Sequence, residues 1–184
     1  MSTAWRILVF TLFPLIPSLV SAQHKPKIEI YLVDEKPAAM QTGGGYFDCK
    51  TAKLITHSFI TDNEITGYEI INDTATRYNR GKIYRIHLDT NAQSKVEKLN
   101  RNIPLCCGQR FVVTVDETPI YGGYFWNVFS SFGCTWLTII ASHSKILKIE
   151  RGLPYDYFDK NLSDPSGDIK LLMAFKATGR LIER

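Results

Sequence analysis

KIYRIHLDTNAQSKVEKLNRNIPLCCGQRFVVTVDE, residues 82–117, changes its hydrophobic period twice. Through KIYRIHLDT, Tyr84, Ile86 and Leu88 alternate with Ile83, Arg85, His87 and Asp89, and a period of two is a strand with distinct faces. Val96, Leu99 and Ile103 then fall three and four residues apart. That spacing predicts a helix of about three turns with one apolar stripe, opened by Thr90 or Asn91 as N-cap and closed before Pro104. RFVVTVDE, residues 110–117, returns to a β-rich run, and TPIYGGYF follows at once. Segments 110–116 and 119–126 are therefore expected to form a hairpin, with Asp116 and Glu117 at its turn. A strand–helix–strand unit followed by a hairpin predicts an α+β fold, a small and mostly antiparallel sheet packed by one or two helices.

Working outward, KIEIYLVDE (27–35) alternates Ile28, Ile30 and Leu32 with Tyr31 and Val33 and reads as a strand. KPAAMQTGGGYFD (36–48) reads as a loop. No Lys-Ser/Thr pair follows Gly43–Gly45, so the glycines lack the signature of a phosphate cradle. Thr61 and Glu64 have capping-box spacing for a short helical turn, YEIIN (68–72) reads as a strand, and NDTATRYNRG (72–81) as a turn-rich link. CTWLTIIAS (134–142) and KILKIER (145–151) are two more β-rich runs. IKLLMAFKA (169–177) carries Leu171, Leu172 and Phe175 at helical spacing and reads as a docking element or a frayed tail. The expected organisation is a signal peptide over 1–22, a single α+β domain over 23–152, and a C-terminal loop with a short docking helix or tail over 153–184.

Residues 1–22 place Arg6 before an apolar stretch broken by Pro14 and Pro17 and end in the small pair Ser21–Ala22. That is the pattern of a secretory signal peptide, and it implies export to a periplasm or the extracellular space. After residue 22 no apolar run approaches the roughly 20 residues of a membrane-spanning helix, so no stable span is expected in the mature chain. The net charge of +4 is mild and the basic residues are scattered, which argues against a nucleic-acid surface.

Cys49, Cys106, Cys107 and Cys134 are an even set, and in an exported chain the expected use of such a set is disulfides. Adjacent cysteines bridge each other only with strain, so Cys134 is the favoured partner of Cys106 or Cys107, with Cys49 taking the other or staying free. A redox role would favour Cys-x-x-Cys over the vicinal pair in CCGQR. The isolated positions of His24, His57, His87 and His143 do not form a zinc pattern. No cofactor is expected.

Tyr121, Tyr124, Trp126, Phe129 and Trp136 crowd into one short segment with Phe125 and Phe132. The segment serves either as core or, in part, as a binding surface for a protein or an envelope component. No G-x-S-x-G elbow is present, Ser130–Ser131 suits a turn, and no catalytic residue is assigned. The leading expectation is an exported, non-catalytic binding domain. The alternative is a small secreted hydrolase with a site near His87 or His143.

The strand KIYRIHLDT, the helix opening on small and polar residues, and RFVVTVDETPIYGG together resemble the first periplasmic domain of the protein-export component SecD. The resemblance spans roughly residues 55–125 and rests on Ile83 to Leu88, the helix near Val96 and Leu99, Phe111 to Val115, Asp116, Pro119, Ile120 and the pair Gly122–Gly123. It implies a ferredoxin-like module exported alone. It implies no translocation activity and carries over no catalytic residue, and the cysteines and FWNVFSSFGC depart from the SecD pattern.

Overall fold

The structure is a computed structural model that describes residues 24–34, 43–73, 81–154, 159 and 161–184. The expected signal peptide, the first part of the 36–48 loop and most of the 72–81 link lie outside the described residues. The chain forms β1 (Ile28–Leu32), a 3₁₀ turn (Asp62–Glu64), β2 (Ile65–Asp73), β3 (Gly81–Leu88), α1 (Thr90–Asn100) and β4 (Gln109–Val115). Then come β5 (Thr118–Trp126), β6 (Cys134–Ile140), β7 (Ile146–Leu153), a second 3₁₀ turn (Pro165–Gly167), α2 (Ile169–Ala177) and β8 (Leu181–Glu183). All eight strands join one mixed sheet in the order β1-β4-β5-β6-β7-β3-β2-β8. Among the strands of the described residues, β5–β6 and β2–β8 pair in parallel and the other neighbours antiparallel. The architecture is a small α+β fold in which two helices pack a mostly antiparallel sheet.

Local chemistry explains each element of the opening stretch. The first helix is capped by Asp89, whose side chain accepts from Ala92 N at 2.8 Å, one residue earlier than the expected Thr90 or Asn91. Its inner stripe is Ala92 and Val96, continued by Ile103 just beyond the helix. The β4–β5 hairpin turns on Asp116 and Glu117 alone, both at positive φ (48° and 62°), as a two-residue turn matched to the strand twist requires. The Asp116 carboxylate accepts from Lys27 N at 2.9 Å, which ties the turn to the chain entering β1. The strand–helix–strand unit is present, but β3 and β4 are not sheet neighbours. β5, β6 and β7 lie between them.

Register places Ile28, Ile30, Phe111, Val113, Tyr121, Phe125, Ile139, Ile149, Tyr84, Ile86 and Tyr68 on one face. This face buries against Leu171, Ala174 and Phe175 of α2, and Tyr68 stacks on Phe175 with ring centroids 4.8 Å apart. Residues 169–177 therefore dock on the core. The next segment adds β8, a strand not anticipated from the sequence, alongside β2.

The sheet curls around α2, which touches β1, β4 and β8. Asp62 clasps the two sides. Its carboxylate accepts from Ile28 N at 2.9 Å and pairs with Arg180, whose guanidinium also donates to the Asp62 and Ile65 carbonyls. Residues 59–60 bond both backbone groups of Ile30 and so cover the outer side of β1.

Candidate functional site

The aromatic segment divides by depth. Tyr121, Tyr124, Trp126 and Trp136 are buried, whereas Phe129 is 81% exposed. Alternation sorts the buried rings. Tyr121 and Phe125 face the α2 side, and Tyr124, Trp126 and Trp136 face the opposite side. There residues 43–47 cover them. Trp136 Nε1 donates to Gly122 O at 2.8 Å, the Tyr124 hydroxyl donates to Gly45 O at 2.9 Å, and Tyr46 meets Trp136 edge-on at 5.0 Å. Burial pushes the phenols of Tyr121 and Tyr124 up, with Arg110 partly offsetting the shift at Tyr124.

The glycine run supplies close approach. Gly44 bonds Gly133 O and Thr135 N beside the start of β6. A Cβ on Gly44 would lie 2.4 Å from Cys134 Sγ and 2.9 Å from the Trp126 ring. Any side chain there would lift the cover off the aromatic face.

Phe129 lies on the connection between β5 and β6, two adjacent parallel strands joined by residues 127–133 alone. Parallel neighbours usually need a crossover of about a dozen residues or more. The short link works because pairing is confined to Tyr124–Trp126 with Thr138–Ile140, which leaves the first residues of β6 to Gly44. Asn127 fixes the crossover. Its amide nitrogen donates to Asn100 O at 3.0 Å and to Ile103 O at 3.4 Å, and its Oδ1 accepts from Phe129 N at 2.9 Å. Ser130 N donates to Asn127 O, the Ser130 hydroxyl donates to Leu105 O, and Phe132 N donates to Ser130 Oγ. Val128 (55%), Phe132 (46%) and Leu105 (54%) are exposed with Phe129. Leu105 and Val128 were not singled out from the sequence. The available signal was Asn127 and Ser130, residues whose side chains cap their own backbone in tight turns.

No disulfide joins any of the four cysteines, which corrects the expectation of bridges. The Cys106 and Cys107 sulfurs lie 3.1 Å apart, well beyond an S–S bond of about 2.05 Å. Cys134, expected to bridge one of them, is sealed beneath Gly44 and Trp126, and burial pushes its thiol up to about 12. Cys49 lies half-buried in the turn after Asp48, and burial raises its thiol as well.

The two histidines of the alternative reading are engaged by different carboxylates. His87 Nε2 lies 3.0 Å from Glu69 and His143 Nδ1 lies 2.9 Å from Glu97. Glu69 is 2% exposed and also pairs with Arg85 at 3.5 Å and Arg184 at 3.2 Å. Burial pushes the Glu69 carboxyl up. The hydrogen bond from His87 and the charges of Arg184, His87 and Arg85 outweigh that, and hold it below its ordinary value. Such a network satisfies a buried charge on β2 from β3 and from Arg184, the residue after β8. Among the described residues, the contacts of both imidazoles run to carboxylates and not to a hydroxyl or thiol. No group of three or more potential metal ligands occurs among the described residues.

The fold and this surface define a small α+β domain that displays an apolar loop over a buried aromatic layer. No helix among the described residues is long and apolar enough to cross a membrane. Comparison with protein-family models, with curated proteins and with solved structures finds no match.

Proposed function

We propose that the chain is an exported, non-catalytic binding domain whose recognition element is the β5–β6 crossover, with Phe129 at its centre. The observation that carries this reading is the contrast within one segment. Trp126 and Trp136 are buried beside the crossover, while Phe129 stands 81% exposed on a loop pinned by Asn127 and Ser130. A phenylalanine held out of the core by three side-chain and backbone hydrogen bonds is a preorganised contact, and preorganisation lowers the entropic cost of binding. The Arg6-to-Ala22 pattern supports export. The β4–β5 hairpin, with its acidic turn and Gly122–Gly123, supports reading the SecD resemblance as a shared module; the ferredoxin-like assignment belongs to the same proposal.

A photo-crosslinking amino acid placed at position 129 in expressing cells tests this reading, with position 173 as the control. Met173 is 63% exposed on α2, which touches β1, β4 and β8. The expected result is a discrete crosslinked product to an envelope protein or lipid from position 129 and none from 173. Equal or absent crosslinking at the two positions would overturn the reading.

A further inference from the structure

We infer that the partner of this loop is an anionic lipid surface, into which Phe129, Val128, Phe132 and Leu105 insert while Lys98 and Arg101 meet the headgroups. The inference rests on the proposed recognition element and names its partner class. Three observations favour a lipid interface over a protein groove.

The first is charge. No aspartate or glutamate occurs in residues 98–110 or 127–133, the two segments that build the patch. Lys98 and Arg101 are exposed at the C-terminal end of α1, and Arg101 reaches Glu97 only at 3.8 Å. Asn127 ties this end of α1 directly to the crossover. Cations bordering an apolar loop complement a negatively charged lipid surface.

The second is backbone satisfaction. A loop entering hydrocarbon cannot leave its N–H groups to water, because an unpaired group there is costly. Phe129 N, Ser130 N and Phe132 N all donate within the loop itself, to Asn127 Oδ1, Asn127 O and Ser130 Oγ. These three bonds lower the cost of placing that part of the turn, with both phenylalanine N–H groups, in hydrocarbon.

The third is shape. The exposed apolar side chains come from two neighbouring loops joined by the bond from Ser130 to Leu105 O, not from a sheet or helix face that would match a flat partner. Loop tips suit shallow insertion at the boundary between headgroups and acyl chains.

Flotation of the purified full chain with vesicles of phosphatidylglycerol and phosphatidylcholine, and with phosphatidylcholine alone, tests the inference. The chain is expected to float with the anionic vesicles, less as salt rises, and to remain behind with the neutral ones. Phe129→Ser should lower partitioning roughly tenfold or more, and the double change Lys98→Glu, Arg101→Glu should abolish the preference for anionic lipid. Every variant carries the same residues 1–22, so flotation that is equal for the parent and both variants assigns binding to that segment and overturns the inference. Absence of flotation, or equal binding to both lipids, overturns it as well. A protein crosslink at position 129 without flotation rejects the lipid and leaves the recognition element standing. Failure of both experiments rejects both. An unchanged urea midpoint for Phe129→Ser excludes misfolding as the cause.

Discussion

At position 44 a single missing side chain decides whether the aromatic face can be covered. The Cβ of Gly44→Ala would sit 2.4 Å from Cys134 Sγ and 2.9 Å from Trp126, both buried and unable to retreat. The substitution should cost about 1–3 kcal/mol, the range for overpacking a filled interior, measured as a shift in the urea midpoint. Glu69 makes a different kind of prediction. Its folded carboxyl is held below the ordinary 4.5, so its ionised form contributes stability above that pH. The contribution is lost as pH falls through the folded value. Unfolding measured from pH 7 downward should show stability dropping below about 4.5, and Glu69→Gln should flatten that decline while lowering stability at pH 7. Neither role was legible in the sequence. GGG announces only a loop, and Glu69, on β2, gains its partners from β3 and from Arg184 just beyond β8, neighbours that the sheet order brings together.

The elements were more readable, because period and turn chemistry are local. The strand at 81–88, the 90–100 helix and the hairpin all emerge close to where alternation and spacing put them. The turn at the hairpin tip is a two-residue one, and its geometry gives a prediction. Glu117 holds φ 62° with a full side chain, a conformation for which glycine has no steric penalty. Glu117→Gly should stabilise the protein by about 0.5–1 kcal/mol, read from thermal or urea unfolding. What local reading missed was the short parallel β5–β6 link. Seven aromatic rings between Tyr121 and Trp136 point to burial, but alternation stops at the crossover. Which ring stays out depends on the bonds that Asn127 makes to α1, a contact set by the tertiary fold.

At the scale of the whole molecule, the sheet order and the place of the C-terminal residues were beyond sequence reasoning. Hydrophobic period says which face of a strand is buried, but not which strand lies next to it. The curl of the sheet is held where Asp62 accepts from β1 and pairs with Arg180 before β8. Asp62→Ala leaves Arg180 half-buried without its carboxylate, and should cost about 2–3 kcal/mol and loosen α2 and β8 together. Hydrogen exchange would report this as faster exchange confined first to residues 169–183. The disulfides expected from an exported chain are a further case. Cysteine count and compartment argue for bridges, whereas in the fold Cys134 is buried under Gly44 and the Trp126 ring and forms no bond to the vicinal pair.

The central claim is that one aromatic segment serves as core in β5 and β6 and as a contact surface in the crossover between them. Its most direct test is to compare Phe129→Ser with Trp126→Ala in urea unfolding, and to assay Phe129→Ser for binding to the envelope fraction of expressing cells. The account predicts that Trp126→Ala loses about 3–5 kcal/mol and that Phe129→Ser changes stability by less than about 0.5 kcal/mol while losing envelope binding. If Phe129→Ser destabilises the fold as severely as Trp126→Ala, or binds the envelope as the parent does, the division of the segment into core and surface is wrong.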